Sequence, residues 1–268
     1  MSGPLLRKVS SAACDLLSHP PQASFEHTRL GDGGYADDLT PFMLDVMPRE
    51  LASGLWCWTA PHPDWRPDRG GVGGWDRNVG SWLLEEDDRV VLIDPLLPDD
   101  HSLLRRLDER IGGRTVDVLI TCTGHLRSAE AVHERYGATV WGNAKTREHV
   151  EQLVTGLIVD GVSLPAGIMP YTPIPNDAEE DETAFWLPPQ HALAVGDILI
   201  HTPEGLRIWW EQNTEALRAE YRERVQPALR RLRELPVELI LVPHGAPITT
   251  NARQALQQAL EADTWQRP

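Results

Sequence analysis

The chain has 268 residues, 41% hydrophobic and 24% charged, which suits one large domain with a packed core and excludes a natively disordered composition. A formal net charge of −15 repels phosphate backbones and argues against a nucleic-acid partner. No apolar run reaches the ~18 residues of a membrane-spanning helix. The three scattered cysteines build neither a disulfide framework nor a Cys-x-x-Cys zinc site, which points to a reducing cytoplasm.

Residues 1–50 show little periodicity and several breakers, such as HPPQ and GDGGYADD. They read as a weakly ordered extension with a short helix over 4–17, and the folded domain is expected over 51–268. LWCWTA (55–60) and VGSWLL (79–84) are aromatic, compact strands separated by a Gly/Trp-rich loop at 62–78. RVVLI then ends at Asp94-Pro95. Helical spacing of Leu103, Leu104, Leu107 and Ile111 predicts a helix over 102–111. A strand over 116–121 and a helix over 128–136, closed by Gly137, come next. ATVWG predicts a short strand and TREHVEQLV (146–154) a helix. Residues 161–182 are proline-rich and acidic and read as loop with short strands. TAFWLP, HALAVGD and ILIHTP read as consecutive short strands. A long amphipathic helix over 214–234, a strand over 237–243 ending at His244, and a helix over 250–263 complete the chain. This order predicts an α/β four-layer architecture, an αββα sandwich of two mixed sheets with helices on both outer faces. A doubly wound single sheet is the alternative.

Four predicted strands end in polar residues: Asp94, the TCTGH turn at 121–125, Asp197 in AVGDIL, and His244 in LVPHGAPI. Each alone has a bland reading. Asp94 caps a turn, Gly196-Asp197 is a turn, and His244-Gly245 is a surface bend. Strand ends at one sheet edge, however, converge on a single cleft.

Taken in this order, from Leu55 to the C-terminus, the four landmarks resemble the metallo-β-lactamase superfamily. GSWLLEEDDRVVLIDPLLP resembles its opening hairpin and I-D-x-G-like turn. VDVLITCTGHLRSAE stands where the family has a strand, T-H-x-H-x-D-H and a helix. ALAVGDIL matches the G-D turn whose aspartate bridges metals, and ELILVPHGAPI matches the strand whose histidine is the last ligand. The resemblance implies an αββα fold and zinc- or iron-dependent hydrolysis. In this register Cys122, Gly124, Leu126 and Arg127 occupy the ligand slots, and His125 falls on a variable position. The family's intermediate histidine has no counterpart.

The resemblance therefore implies a degenerate centre. Its surviving metal ligands are Cys122, Asp197 and His244, enough for a single zinc with a water. His125 joins them after a one-residue slip. Cys122, His125 and Asp197 also read as a nucleophile–base–orienter set. A permanently charged Arg127 repels a divalent ion and is expected either to pair with Asp197 or to point to solvent. His62, Trp65, Arg127 and Asp94 are the expected pocket residues, with Trp56, Trp58 and Trp75 near the same loop; each tryptophan also has a plain core reading.

Three functions follow. The first is a hydrolase-like protein that binds or converts a small molecule in the old cleft without a dinuclear centre. The second is a mononuclear zinc or iron hydrolase built on Cys122, Asp197 and His244. The third is a non-enzymatic scaffold. The tryptophan-rich 55–82 segment offers a surface for a homodimer.

Overall fold

The computed structural model describes residues 48–67, 75–98, 101–175, 181–210 and 214–262. The expected extension lies almost wholly outside the described residues, as do the GGVGG loop at 70–74 and most of the acidic run at 177–182. The first strand begins at Arg49.

β1 (Arg49–Ala52), β2 (Leu55–Pro61), β3 (Asn78–Glu85) and β4 (Arg89–Ile93) form an antiparallel meander. α1 (His101–Ile111) leads to β5 (Thr115–Leu119), α2 (Ala129–Tyr136) to β6 (Thr139–Gly142), and α3 (Ala144–His149) to β7 (Gly156–Leu157). These add in parallel to give a seven-stranded sheet in the order β1 to β7. A second sheet is built from β8 (Met169–Pro175), β9 (Asp181–Leu187), β10 (Ala192–Ala194) and, later in the chain, β13 (Leu239–Leu241). Its order is β13-β10-β9-β8. Between β10 and β13 lie the hairpin β11 (Leu199–Thr202)–β12 (Gly205–Ile208) and the helical segments α4 (Glu215–Glu220) and α5 (Gln226–Arg230). α6 (Ala252–Glu261) closes the described chain.

Side-chain alternation of period two assembles the layers. Val91 and Ile93 of β4, with Trp82 and Leu84 of β3, face Phe185, Leu187, Ala192, Ala194, Leu239 and Leu241 of the second sheet. Their neighbours Leu83, Val90 and Leu92 face outward and are covered by Leu103, Leu107 and Ile111 of α1 and by Ala129 and Val132 of α2. On the other side, Leu193, Ile240 and Trp186 are covered by Tyr221, Val225, Leu229 and Leu256. Two sheets are thus buried on both faces, as the αββα expectation requires. Among the described residues no helix is long and apolar enough to cross a membrane.

Three local expectations are corrected. The helix expected over 214–234 is broken by a π turn at Tyr221–Val225, where Gln226 N–H donates to Tyr221 O. Pro227 lacks an N–H and crowds the carbonyl four residues back, so a wider turn there relieves an ordinary helical register. α3 starts earlier than expected because the Asn143 side chain accepts from Thr146 N at 2.9 Å, and it stops at His149. The segment expected to be mostly loop contains the seven-residue strand β8, whose prolines are tolerated because it is an edge strand.

Candidate metal centre

The ends of β4, β5, β10 and β13 meet at one edge of the sandwich. Thr183 N donates to Thr121 O at 2.7 Å, and Gly80 N donates to Pro243 O at 2.8 Å, which pins the two sheets together beside the site. Asp94 follows β4 with φ +46°, and its side chain is fully buried. Its Oδ1 accepts from Thr121 N at 2.9 Å, and its Oδ2 accepts from Thr121 Oγ1 at 2.5 Å. His125 Nδ1 lies 2.9 Å from the same Oδ2 and 2.8 Å from Thr121 Oγ1. Facing a carboxylate, Nδ1 is the donor, and Nε2 becomes available as a ligand when its own proton is lost.

Nε2 of His125 points at Asp197, 3.1 Å from Oδ1. His244 Nε2 approaches the same oxygen at 3.0 Å. Oδ1 is sealed from solvent, and about a third of the Asp197 side chain remains exposed. Asp197 owes its place to Gly196. A Cβ there would overlap Glu182 Oε2 and lie 2.9 Å from its Cδ. Glu182 is fully buried and accepts from Ile198 N at 3.1 Å, holding the turn. His244 is fixed by His201 N, which donates to its carbonyl at 3.0 Å. Gly245 (φ +93°) is needed because a Cβ would overlap the His201 carbonyl. The His244 ring packs edge-on against Trp75 and Trp209, with centroids at 5.1 and 5.6 Å, and its Nδ1 is buried with no hydrogen-bond partner among the described residues.

Ligand atoms of Cys122, His125 and Asp197 all lie within 4.8 Å of one another. Burial pushes the Cys122 thiol up to about 12. Burial also opposes charge on His125, but negative charge on Cys122 when ionised, on Asp197 and on Asp94 outweighs it, and the imidazolium is favoured well above the ordinary histidine range. Burial would raise Asp197, yet His125 and His244 hold it well below the usual carboxylate range.

The structure brings Asp94, Cys122, His125, Asp197 and His244 together, and it corrects the expected register. His125 is at the centre of the site, not at a variable position. Both expectations for Arg127 fail. Among the described residues no ion pair within 4.0 Å joins it to Asp197, and it does not project into solvent. Its Nη1 donates to Gly80 O at 2.7 Å and to Asp94 O at 3.0 Å, while Nε and Nη2 are sealed with no hydrogen-bond partner among the described residues. The bland turn reading of Asp94 also gives way, because its carboxylate anchors both Thr121 and His125. Trp58 is a core residue, its indole donating to Leu96 O at 2.8 Å. Sequence reasoning missed Glu182, which the acidic run before it disguised as solvated loop. The signal was its place at the head of the apolar run TAFWL.

One ion, and no more, suits these donors. Sulfur, imidazole nitrogen and carboxylate oxygen converge, a donor set that zinc accepts, and Asp197 Oδ1 is shared between the nitrogens of His125 and His244. Asp94 behind His125 supplies the carboxylate–histidine support typical of metal sites. Fold and site together define a metallo-β-lactamase-fold protein with a reduced metal site in place of a full dinuclear centre. Among solved structures it is similar to TMB-1, at 13% identity over 80% of this chain and 96% of that one, with a TM-score of 0.59. It is also similar to the metallo-β-lactamase FIM-1 from Pseudomonas aeruginosa in its mono-zinc form (14%, covering 81% and 95%, TM-score 0.55). A metallo-β-lactamase family protein from Thermus thermophilus matches at 19% identity over 78% and 79%, with a TM-score of 0.51. No protein-family model and no curated protein matches the chain.

Proposed function

We propose that this chain is a hydrolase working with a single zinc or iron ion, and that Cys122, His125 and Asp197 hold the ion with His244 beside it. The observation that carries this reading is the convergence of those three side chains within 4.8 Å, with Asp94 orienting His125 from behind. A bound ion would supply Lewis acidity toward an acyl or phosphoryl oxygen and toward water. The chain does the rest. Asp94 and Thr121 hold Nδ1 of His125, so Nε2 is presented forward. Asp197, kept anionic by the two histidines, would orient a water at the open side through the exposed part of its side chain, and His244 Nε2 beside it would carry the proton between that water and a leaving group. The substrate class is a small molecule, in a reducing cytoplasm where the buried Cys57 and Cys122 stay reduced. Nucleic-acid and membrane partners do not belong to this reading, and a homodimer is compatible with it.

The test is metal content. Full-length protein expressed with supplemental zinc or iron and analysed by mass spectrometry should hold about one ion per chain. Cys122→Ser and Asp197→Asn should each lower that to background and abolish hydrolysis across ester, thioester and β-lactam chromogenic substrates. Folded protein without metal, or variants that retain it, would overturn the proposal in favour of metal-free chemistry in the cleft.

A further inference from the structure

A sheet edge left bare invites pairing with another strand, so folded chains protect their edges with charge, proline or a covering segment. The first sheet ends at β1 and β7, and the second at β13 and β8. β1 opens with two exposed charged residues, Arg49 and Glu50. β8 carries Pro170, Pro173 and Pro175, which have no N–H to offer a further strand. β13 is covered by the bridge between Ile240 and Ile248, in which each N–H donates to the other's carbonyl at 2.9 Å. Among the described residues, β7 has none of these protections.

Ile158, just past β7, donates its N–H to Gly142 O at 2.9 Å, and its side chain is buried between the sheets. With a period of two, the N–H groups of Leu157 and Val159 point away from β6, and their side chains take the face opposite Ile158. Leu157, Val159 and Val162 are 41%, 48% and 55% exposed, and among the described residues the exposed large hydrophobics are these three alone. The segment is held in shape. Val162 N donates to Val159 O at 3.0 Å, Gly161 N to Pro170 O at 3.3 Å, and Thr172 N to the Asp160 carboxylate at 3.0 Å. Asp160 is the sole charged residue from Gln152 to Asn176, and Arg231 pairs with it through contacts of 2.7 and 2.8 Å.

We infer that the β7 edge is a homodimer interface, in which the edges of two copies pair antiparallel about a two-fold axis. Charge selects this occupant. Two chains of net charge −15 repel one another, and a stretch whose one carboxylate is already paired is where they can approach closely. Strand geometry fits it too. An axis at Ile158 sets each Leu157 opposite the other copy's Val159, so their backbone groups exchange bonds and their side chains meet on one face, with Val162 at the rim. The tryptophan-rich 55–82 segment serves this purpose less well, because Trp58 and Trp82 are buried and the Arg110 guanidinium lies 3.3 Å above the Trp56 ring. Pairing at β7 uses no residue of the metal centre and does not depend on metal.

The experiment is sedimentation of the full-length chain from about 1 to 500 µM, at low and high salt, with hydrogen exchange read at the Leu157 and Val159 amides. A dimer with a dissociation constant of about 10–100 µM is expected, since so short an edge belongs with weak interfaces. Added salt should tighten it, because screening relieves the repulsion between two acidic copies. Both amides should gain protection as concentration rises. Leu157→Lys and Val159→Lys each place two like charges across the axis and should weaken the dimer by about a hundredfold or more, with the melting temperature of the monomer retained. Should a lysine variant fail to fold, Val159→Thr keeps the branched shape and should weaken the dimer by about fivefold. A chain that stays monomeric throughout, a dimer that survives the substitutions, or one that loosens with salt overturns the inference.

Discussion

Asp94→Asn tests the support on which the whole centre rests. Asp94 is fully buried and His125 nearly so, so solvent screening does not soften their interaction. The carboxylate accepts from Thr121 N, from Thr121 Oγ1 and from His125 Nδ1. An asparagine can keep one acceptor, but its NH2 then faces a hydroxyl and an N–H. Hydrogen bonds to charged groups are each worth about 1.5–3 kcal/mol, and breaking one side of a buried ion pair costs about 3–5 kcal/mol. Because the three contacts share one carboxylate they do not add, and the expected loss is about 3–5 kcal/mol. The pH dependence follows from the sign of the His125 shift. Its folded pKa is raised, so its contribution is fully present below the unfolded value of about 6.5 and is lost as pH rises through the folded value. The assay is urea unfolding of EDTA-treated wild type and variant at stepped pH, with imidazole NMR reporting when His125 loses its proton. The gap between the two proteins should be largest near pH 6 and narrow through that titration. A loss below about 1 kcal/mol, or a gap that stays constant while His125 deprotonates, would refute the reasoning.

Two further outcomes follow from the same geometry. Gly196→Ala forces a methyl group against the fully buried Glu182 carboxylate, 2.9 Å from its Cδ, and should cost at least the ~1–3 kcal/mol of ordinary overpacking, which lowers the melting temperature by about 2–4 °C per kcal/mol in a domain of this size. Near-wild-type stability measured by calorimetry would show that the turn is softer than argued. Cys122 is 2% exposed with its thiol pushed up to about 12, so iodoacetamide at about pH 8 should leave it unmodified in native metal-free protein and label it in urea, read by peptide mass spectrometry. Rapid native labelling would place the thiol outside the buried centre.

The layered fold was legible because both sheets are buried on two faces, so alternation and apolar runs were strong between Leu55 and Leu241. Strand ends at Asp94, Thr121, Asp197 and His244 were legible for the same reason: the apolar pattern stops where the chain leaves the core. What the sequence could not convey was which side chain of TCTGHLR turns inward. The 3₁₀ turn over Thr123–His125 swings His125 under the strand end, whereas matching to a ligand spacing assigned that place to its neighbours. Glu182 was hidden by the acidic residues before it, and the π turn by an otherwise regular helical pattern.

That 3₁₀ turn also limits how many side chains of the segment can offer a lone pair to the cleft. Gly124 is exposed and brings no side chain, and Leu126 packs toward the outer core with Val132 and Ile120, so neither position can reach the cleft with a lone pair. Arg127 follows with φ +40°, a left-handed conformation that costs an L-residue about 1–2 kcal/mol and persists only where surrounding contacts determine it. Those contacts are the carbonyls of Gly80 and Asp94, so the guanidinium ties the β3 strand to the Asp94 turn. Its positive charge acts on Asp94, Asp197 and Cys122, and so disfavours a second cation among the same groups. The remaining donors, Cys122, His125 and Asp197, are left for one ion. Arg127 therefore does two things at once: it braces the Asp94 turn through two backbone carbonyls, and its charge disfavours a second cation beside Cys122, His125 and Asp197.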